Sequence, residues 1–184
     1  MQTRQALVLL LTWIILPIVG SAQPVCQAPV ISDQQVKDIV EKERGARGDL
    51  PKAFPKHRWI VRRQGCHYVY LEYGLPETPE NVQIFKLNQH SVIVDVQVGG
   101  EPVKSFKCPG KVLTESALTE IIKKERGSRR DLPPEFSTYK TRVERLGCIY
   151  FYFEYAVPET RGNYHVFTID PLGELMEFFR AKPY

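Results

Sequence analysis

A charged motif that occurs twice has the residue types needed to bind an anionic group. The first copy places Arg44 and Arg47 near the end of a predicted helix, with Asp49 two residues further on. Two guanidinium groups so placed can hold a carboxylate or phosphate of a partner through paired N–H donors. Alternatively, the arginines complement the negative helix end and the aspartate fixes the following turn. The same positions of the second copy hold Arg126, Arg129 and Asp131.

A second pattern, also present twice, combines tyrosines with a glutamate on one face of a predicted strand. Tyr68, Tyr70 and Glu72 alternate along the chain, so their side chains point the same way. If Arg63 pairs with Cys66 across the preceding hairpin, the two tyrosines and the glutamate share that face with alternate residues of the first hairpin strand. This face could be an aromatic platform for a ligand, or the tyrosines could close the core while the glutamate pairs with an arginine. The matching residues of the second copy are Tyr150, Tyr152 and Glu154.

Enzyme chemistry has little support in the sequence. Glycosidase chemistry needs two carboxyl groups about 5–10 Å apart across a cleft, and no spacing establishes such a pair. A hydrolase that uses Glu72 or Glu154 remains a hypothesis, which predicts a deep pocket around a glutamate with a raised pKa. We therefore expect that the chain is not an enzyme and has no catalytic residues.

The histidines do not repeat between the two copies, so a duplicated histidine site is not expected. Because no nucleophile pattern accompanies them, ordinary surface or core positions are favoured. No Cys-x-x-Cys pair occurs, and His67, which lies nearest to a cysteine, aligns with Ile149. The sequence therefore predicts neither a metal site nor a cofactor. The four histidines are His57, His67, His90 and His165.

The four cysteines predict two disulfides. Four cysteines allow three pairings. The duplication favours pairing within each copy, because each copy then closes alike. A disulfide that closes a loop of about 40 residues adds roughly 4 kcal/mol to the free energy of unfolding in the chain-entropy model. The predicted bridges are Cys26–Cys66 and Cys108–Cys148.

These features recur because the chain is a tandem duplication. Shifted by 82 positions, the sequence aligns with itself without a gap: residues 42–45 match 124–127, and residues 65–73 match 147–155. Gly99 and Gly100 mark the joint between the copies. The predicted segments are a signal peptide at 1–22, a first repeat at 23–98, a linker at 99–107 and a second repeat at 108–184.

The N-terminal segment indicates the compartment of the protein, and the overall charge limits its possible partners. Arg4, an apolar run and the small residues before position 23 are typical of a secretory signal peptide. The formal charge of +4 falls to +3 when Arg4 is removed, which does not favour nucleic acid as a partner. We therefore expect a periplasmic or secreted protein that makes no stable membrane insertion after signal cleavage.

Each copy has the pattern of one helix followed by four antiparallel strands. Ser32 with Gln35 forms a capping box, and Thr114 caps the second helix. Gly45 and Gly127 are expected to end the helices at their C′ positions. The fold class is therefore α+β, with two tandem repeats that each pack one helix on a curved four-stranded antiparallel sheet.

This order of elements resembles the cystatin-like fold and, within it, the small exported PepSY-type domains. The final predicted hairpin, residues 165–175, is similar to the last hairpin of PepSY-type domains. Residues 97–100 only echo the Gln-x-Val-x-Gly hairpin with which cystatins inhibit cysteine proteases. The resemblance implies a modulator or inhibitor of an exported hydrolase, and it assigns no functional residue.

Together these patterns predict an exported, non-enzymatic binding protein whose partner is another exported protein. The arginines of the charged motif give an alternative, a module that binds envelope polyanions with an affinity that falls steeply with salt. That alternative would use Arg44, Arg47, Arg126, Arg129 and Arg130.

Overall fold

The chain is an α+β protein with two helices and two antiparallel sheets. A computed structural model describes Cys26, residues 28–159 and residues 163–180, and the predicted signal peptide lies outside this part of the chain. The first sheet has five strands in the order β1-β2-β3-β4-β5, and the second has four in the order β6-β7-β8-β9. Each sheet follows one helix along the chain, as the duplication predicts.

The first unit consists of a helix and a meander of strands. Its sheet differs from the predicted four strands, because two residues of the predicted linker pair with β4. Gly99 and Gly100 have φ angles of +58° and +85°, and this left-handed backbone lets the chain reverse there. The elements are α1 (Asp33–Ala46), β1 (His57–Gln64), β2 (His67–Gly74), β3 (Val82–Leu87), β4 (Ile93–Val98) and β5 (Glu101–Pro102).

The second unit repeats this arrangement with the predicted four strands. The turn between its last two strands has Gly173 at φ +87°, and the Gly173 N–H donates to the Asp170 carbonyl over 3.0 Å. The elements are α2 (Glu115–Ser128), β6 (Tyr139–Leu146), β7 (Ile149–Ala156), β8 (Tyr164–Ile169) and β9 (Leu175–Arg180).

The helices begin where the sequence predicts and end later. The Ser32 hydroxyl accepts the Gln35 N–H in a full capping box, and Thr114 caps α2. The expectation that Gly45 and Gly127 end the helices is wrong, because each helix continues to the residue before an extended arginine cap. The side chain of each capping arginine forms an ion pair with the aspartate two residues later in the chain, outside the helix.

The two cores are built from equivalent residues. In the first, Val36 and Val40 of α1 pack against Tyr70 and Phe85 of the sheet. In β1 and β2, Arg63 pairs with Tyr68 instead of Cys66. This shift of two residues keeps every side chain on its predicted face. The second core contains Leu118, Ile122, Tyr152 and Phe167, each 82 positions after its counterpart.

Both predicted disulfides are present. Cys26 is bonded to Cys66 and Cys108 to Cys148, each across 40 residues within one unit. Disulfides persist in oxidising compartments, so the bridges are compatible with a periplasmic or secreted protein. Among the described residues, no helix is long and apolar enough to cross a membrane.

The two units contact each other through sheet faces that point away from the helices. Val94 of β4, Ile149 of β7 and Met176 of β9 form a third buried cluster. Beside it, the Asn88 side-chain amide donates to the Asp170 carboxylate over 3.4 Å. Asn88 and Asp170 are equivalent positions of the two copies, as are Val94 and Met176. The units therefore meet around an approximate two-fold axis.

Candidate functional site

The predicted glutamates are buried and held by the chain itself. Glu72 is inaccessible to solvent, and its carboxylate accepts hydrogen bonds from Arg44 Nη1 over 2.7 Å and from the backbone N–H of Phe54 over 3.0 Å. The Tyr70 hydroxyl donates to the same carboxylate over 3.2 Å. Arg44 thus ties α1 to β2, which is the internal pairing that the sequence offered as an alternative to ligand binding.

The equivalent Glu154 has the same role in the second unit. Arg126 donates to both carboxylate oxygens, over 2.8 Å and 2.5 Å, and His165 Nδ1 lies 3.3 Å from Oε2. Burial raises the pKa of Glu154, but the hydrogen bonds from His165 and Arg126 outweigh this and lower it. A general acid at neutral pH needs the opposite shift, so this geometry argues against a hydrolase that uses Glu154.

The predicted tyrosine platform lies on the covered face of each sheet. The Tyr68 hydroxyl accepts the Ile31 N–H and the Tyr150 hydroxyl accepts the Leu113 N–H, each over 3.0 Å. Tyr70 and Tyr152 are buried in the two cores. On the opposite face of β7 and β8, the aromatic side chains at the alternate positions remain partly exposed. They are Phe151, Phe153, Tyr155 and Tyr164.

In the first unit, the second arginine of the charged motif and its aspartate hold part of the predicted linker. Arg47 and Asp49 form a two-pronged ion pair with distances of 3.0 Å and 2.8 Å. Asp49 also accepts the backbone N–H of Lys107 over 2.8 Å, and Arg47 Nη2 donates to the Lys107 carbonyl over 3.1 Å. The Arg47 guanidinium lies 4.8 Å from the ring centre of Phe106. The pair therefore binds both polar backbone groups of one residue.

The second unit presents the same pair without such a segment. Arg129 and Asp131 form a two-pronged ion pair with distances of 3.1 Å and 2.7 Å. Their side chains are 21% and 19% exposed, close to the 25% and 14% of Arg47 and Asp49. In the described part of the chain, no backbone group bonds to them as Lys107 bonds to the first pair. Asp131 and Arg129 therefore keep unused acceptor and donor positions.

The ion pairs of the charged motif make stability depend on pH. Hydrogen bonds from Arg129 hold the pKa of Asp131 below its ordinary value. A lowered folded-state pKa adds stability that is present above the unfolded pKa of about 4 and is lost as pH falls towards the folded value. We expect Asp131→Asn to lose less stability than the unchanged chain between pH 7 and about pH 3 in urea unfolding. Equal losses in the two proteins would contradict this assignment.

A polar cluster that the sequence did not predict lies at the junction of the units. His67 comes from β2, and Asp170 and Glu174 come from the turn before β9. One potential ligand atom from each lies within 4.8 Å of the others. His67 is 1% exposed, and within the described structure neither of its ring nitrogens has a hydrogen-bond partner. Glu174 Oε2 is likewise buried without a partner.

The remaining oxygens of the cluster are held in place. Asp170 Oδ1 accepts the backbone N–H groups of Leu172 and Glu174, over 2.9 Å and 2.8 Å. Glu174 Oε1 lies 3.1 Å from His90 Nε2. Burial lowers the pKa of His67 to about 4. The imidazole is therefore neutral at physiological pH and has a free lone pair.

A small cleft of about 70 Å³ leads to His67 from the surface. Both units contribute to its walls, so it belongs to the junction. Of the three residues of the polar cluster, only His67 lines this cleft. Its lining residues are Gln64, His67, Lys86, Phe151, Thr168, Met176 and Glu177.

Comparison with protein-family models, curated proteins and solved structures finds no match to this chain. The resemblance to the cystatin-like fold and to PepSY-type domains therefore stays a prediction from the sequence. Function has to be argued from the geometry of the chain's own residues.

Proposed function

We propose that the mature chain is an exported, non-enzymatic binding protein whose second unit holds an extended segment of a partner protein. One observation carries the proposal. Arg47 and Asp49 bind the backbone of Lys107, whereas the equivalent Arg129 and Asp131 have the same geometry and no hydrogen bond to the backbone of a described segment of this kind.

The chemistry of the pair suits a peptide backbone. A carboxylate accepts an N–H while the neighbouring guanidinium donates to the C=O of the same residue, and charge-assisted bonds of this kind are about twice as strong as neutral ones. Both hydrogen bonds go to the backbone of the bound segment, so they do not select its side chains. Any preference for particular side chains comes from the residues that surround the ion pair. Arg47 packs over Phe106, the residue before the one whose backbone is bound. We therefore propose that the partner segment is extended and carries an aromatic residue at that position.

The resemblance to cystatin-like and PepSY-type proteins supplies the finer form of this proposal. It implies that the partner is an exported hydrolase and that the chain modulates or inhibits it, which is an analogy of fold. Periplasmic or secreted localisation is part of the same proposal, and the two disulfides support it.

The polyanion alternative receives less support from the geometry. Four of the five arginines that it would use are paired with carboxylates of the same unit. Arg130 is exposed. A surface whose positive charges are already neutralised attracts a polyanion weakly. The paired residues are Arg44 with Glu72, Arg47 with Asp49, Arg126 with Glu154, and Arg129 with Asp131.

A blocked synthetic peptide with the sequence of residues 101–107 tests the backbone site. We expect it to bind the mature chain and to shift the NMR signals of Arg129 and Asp131. Asp131→Asn should weaken binding about 10–100-fold, because a hydrogen bond to a charged group contributes about 1.5–3 kcal/mol. A peptide with alanine in place of its phenylalanine should also bind more weakly.

Glu120→Gln is the matched control, because it removes one negative charge from the exposed surface of α2 without touching the pair. It should leave peptide affinity unchanged. Absence of binding at millimolar peptide, or equal affinity for the Asp131→Asn protein, would contradict the proposal. Binding of a sulfated glycan that survives Asp131→Asn and falls steeply with salt would support the polyanion alternative.

A further inference from the structure

The two units meet around an approximate two-fold axis, but equivalent positions at their junction carry different types of residue. On one side of the axis, Ile149 of the second unit packs in an apolar cluster that Val92 of the first unit adjoins. Exchange of the two units by the 82-residue shift places His67 where Ile149 lies and Glu174 where Val92 lies. At these two positions, one half of the junction has apolar side chains and the other half has an imidazole and a carboxylate.

Asp170 carries a negative charge that its turn does not require. Its counterpart Asn88 accepts the N–H groups of His90 and Val92, over 3.1 Å and 3.0 Å. These are the same turn contacts that Asp170 makes in the second unit. An amide oxygen is thus sufficient for the turn, and the second carboxylate oxygen of Asp170 accepts the side-chain amide of Asn88 across the junction.

The polar half is also incomplete as it stands. Transfer of a polar group to the interior without a hydrogen bond is unfavourable, by about 1–3 kcal/mol in protein mutants. His67 has two ring nitrogens without partners, and Glu174 has one such oxygen. A cation between these groups would bind the lone pair of one His67 nitrogen and the unpartnered oxygen of Glu174, and its charge would offset that of Asp170.

We propose that His67, Asp170 and Glu174 form a binding site for one divalent transition-metal ion at the junction of the two units. One neutral imidazole and two carboxylates are a donor set that suits Zn²⁺ and its first-row neighbours better than Mg²⁺ or Ca²⁺, which prefer oxygen alone. His90 holds the other oxygen of Glu174, as outer-shell partners of metal ligands commonly do.

The three ligand atoms would have to move only slightly closer together to coordinate a metal ion. Ligand atoms about 2.1 Å from a tetrahedral zinc ion lie about 3.4 Å apart. The three ligand atoms lie within 4.8 Å of one another, so small side-chain rotations bring them to the metal. Because the ligands come from both units, the bound ion would also fix the junction.

The test is zinc binding to the mature chain, expressed without a histidine tag and freed of metal with a chelator. Calorimetry and elemental analysis should give one Zn²⁺ per chain, with weaker binding of Mn²⁺ and no competition from Mg²⁺ or Ca²⁺. At a Zn²⁺ concentration about 100 times Kd, the melting temperature should rise by about 5–10 °C. Co²⁺ should give visible absorption bands that Zn²⁺ abolishes.

The second copy supplies variants that keep the packing. His67→Ile, Glu174→Val and Asp170→Asn introduce the residues that the other copy uses at the same positions. Each should weaken Zn²⁺ binding by more than the about 10–100-fold that loss of an outer-shell partner causes. Without metal, His67→Ile should melt at the same temperature or higher, because it removes an unsatisfied buried polar group. That result separates loss of the site from loss of the fold.

His57→Gln is the matched control. His57 Nε2 also lies near a buried glutamate, at 3.9 Å from Glu72, but outside the junction cluster. It should leave Zn²⁺ affinity unchanged. The proposal is overturned if the unchanged chain binds no Zn²⁺ at millimolar concentration, or if His67→Ile and Glu174→Val bind it as well as the unchanged chain does. It is also overturned if His57→Gln removes the binding.

Discussion

Arg126→Met is expected to lower the free energy of unfolding by about 3–5 kcal/mol, because it leaves the buried charge of Glu154 without its main partner. Glu154 is 1% exposed, and Arg126 satisfies both of its oxygens. Arg126 Nε also donates to the Pro133 carbonyl over 3.0 Å. The substitution thus disconnects α2 from both β7 and the loop that follows the helix.

The double variant Arg126→Met with Glu154→Leu separates the charge effect from packing. Replacement of a whole buried ion pair by apolar residues is often close to neutral. We therefore expect the double variant to recover most of the stability that Arg126→Met loses, as measured by urea unfolding followed by circular dichroism. If the double variant is as unstable as the single variant, the unpaired charge is not the cause.

Arg44→Met gives the same comparison in the first unit. Glu72 keeps the Phe54 N–H and the Tyr70 hydroxyl after this change. We expect a smaller loss than for Arg126→Met, because more hydrogen bonds to the carboxylate remain. Trp59 is the only tryptophan after the predicted signal peptide, so its fluorescence reports the unfolding of the first unit separately.

Removal of the second disulfide is expected to cost at least about 4 kcal/mol, since it frees a loop of 40 residues in the unfolded chain. The variant for this test carries Cys108→Ser and Cys148→Ala. Cys148 is 2% exposed and packs in the core cluster of the first unit. Loss of this disulfide should therefore also lower the stability that Trp59 fluorescence reports.

The first disulfide is the matched control, because it closes a loop of the same length. Cys66 is only half-buried, so Cys26→Ser with Cys66→Ser should remove the same loop constraint with less loss of packing. Urea unfolding of both variants, with peptide mapping under non-reducing conditions, checks the prediction. Crosslinks between the two halves, or free thiols in the unchanged chain, would contradict the assigned pairing.

The sequence alone determined the features that depend on local order and on the repeat. Periodicity and capping residues predicted the two helices and the shared face of Tyr70 and Glu72, which does not change when the hairpin register shifts by two residues. The duplication selected the disulfide pairing from three alternatives. It also showed that Arg44 and Glu72 both recur, and one interpretation paired the glutamate with an arginine, but only the structure identifies that arginine as Arg44. Each of these signals lies within one unit.

Only the tertiary structure decided how the units meet. The fifth strand forms because the linker pairs with an edge of the first sheet, and no local pattern fixes such a pairing. The junction cluster joins His67 to residues more than 100 positions away. The residues of this cluster lie at positions where the two copies have different residues. The comparison of the copies selected candidate residues at positions where the copies are identical. Around an approximate two-fold axis, a residue of one unit faces non-equivalent residues of the other, so only the packed structure brings the imidazole and the two carboxylates together.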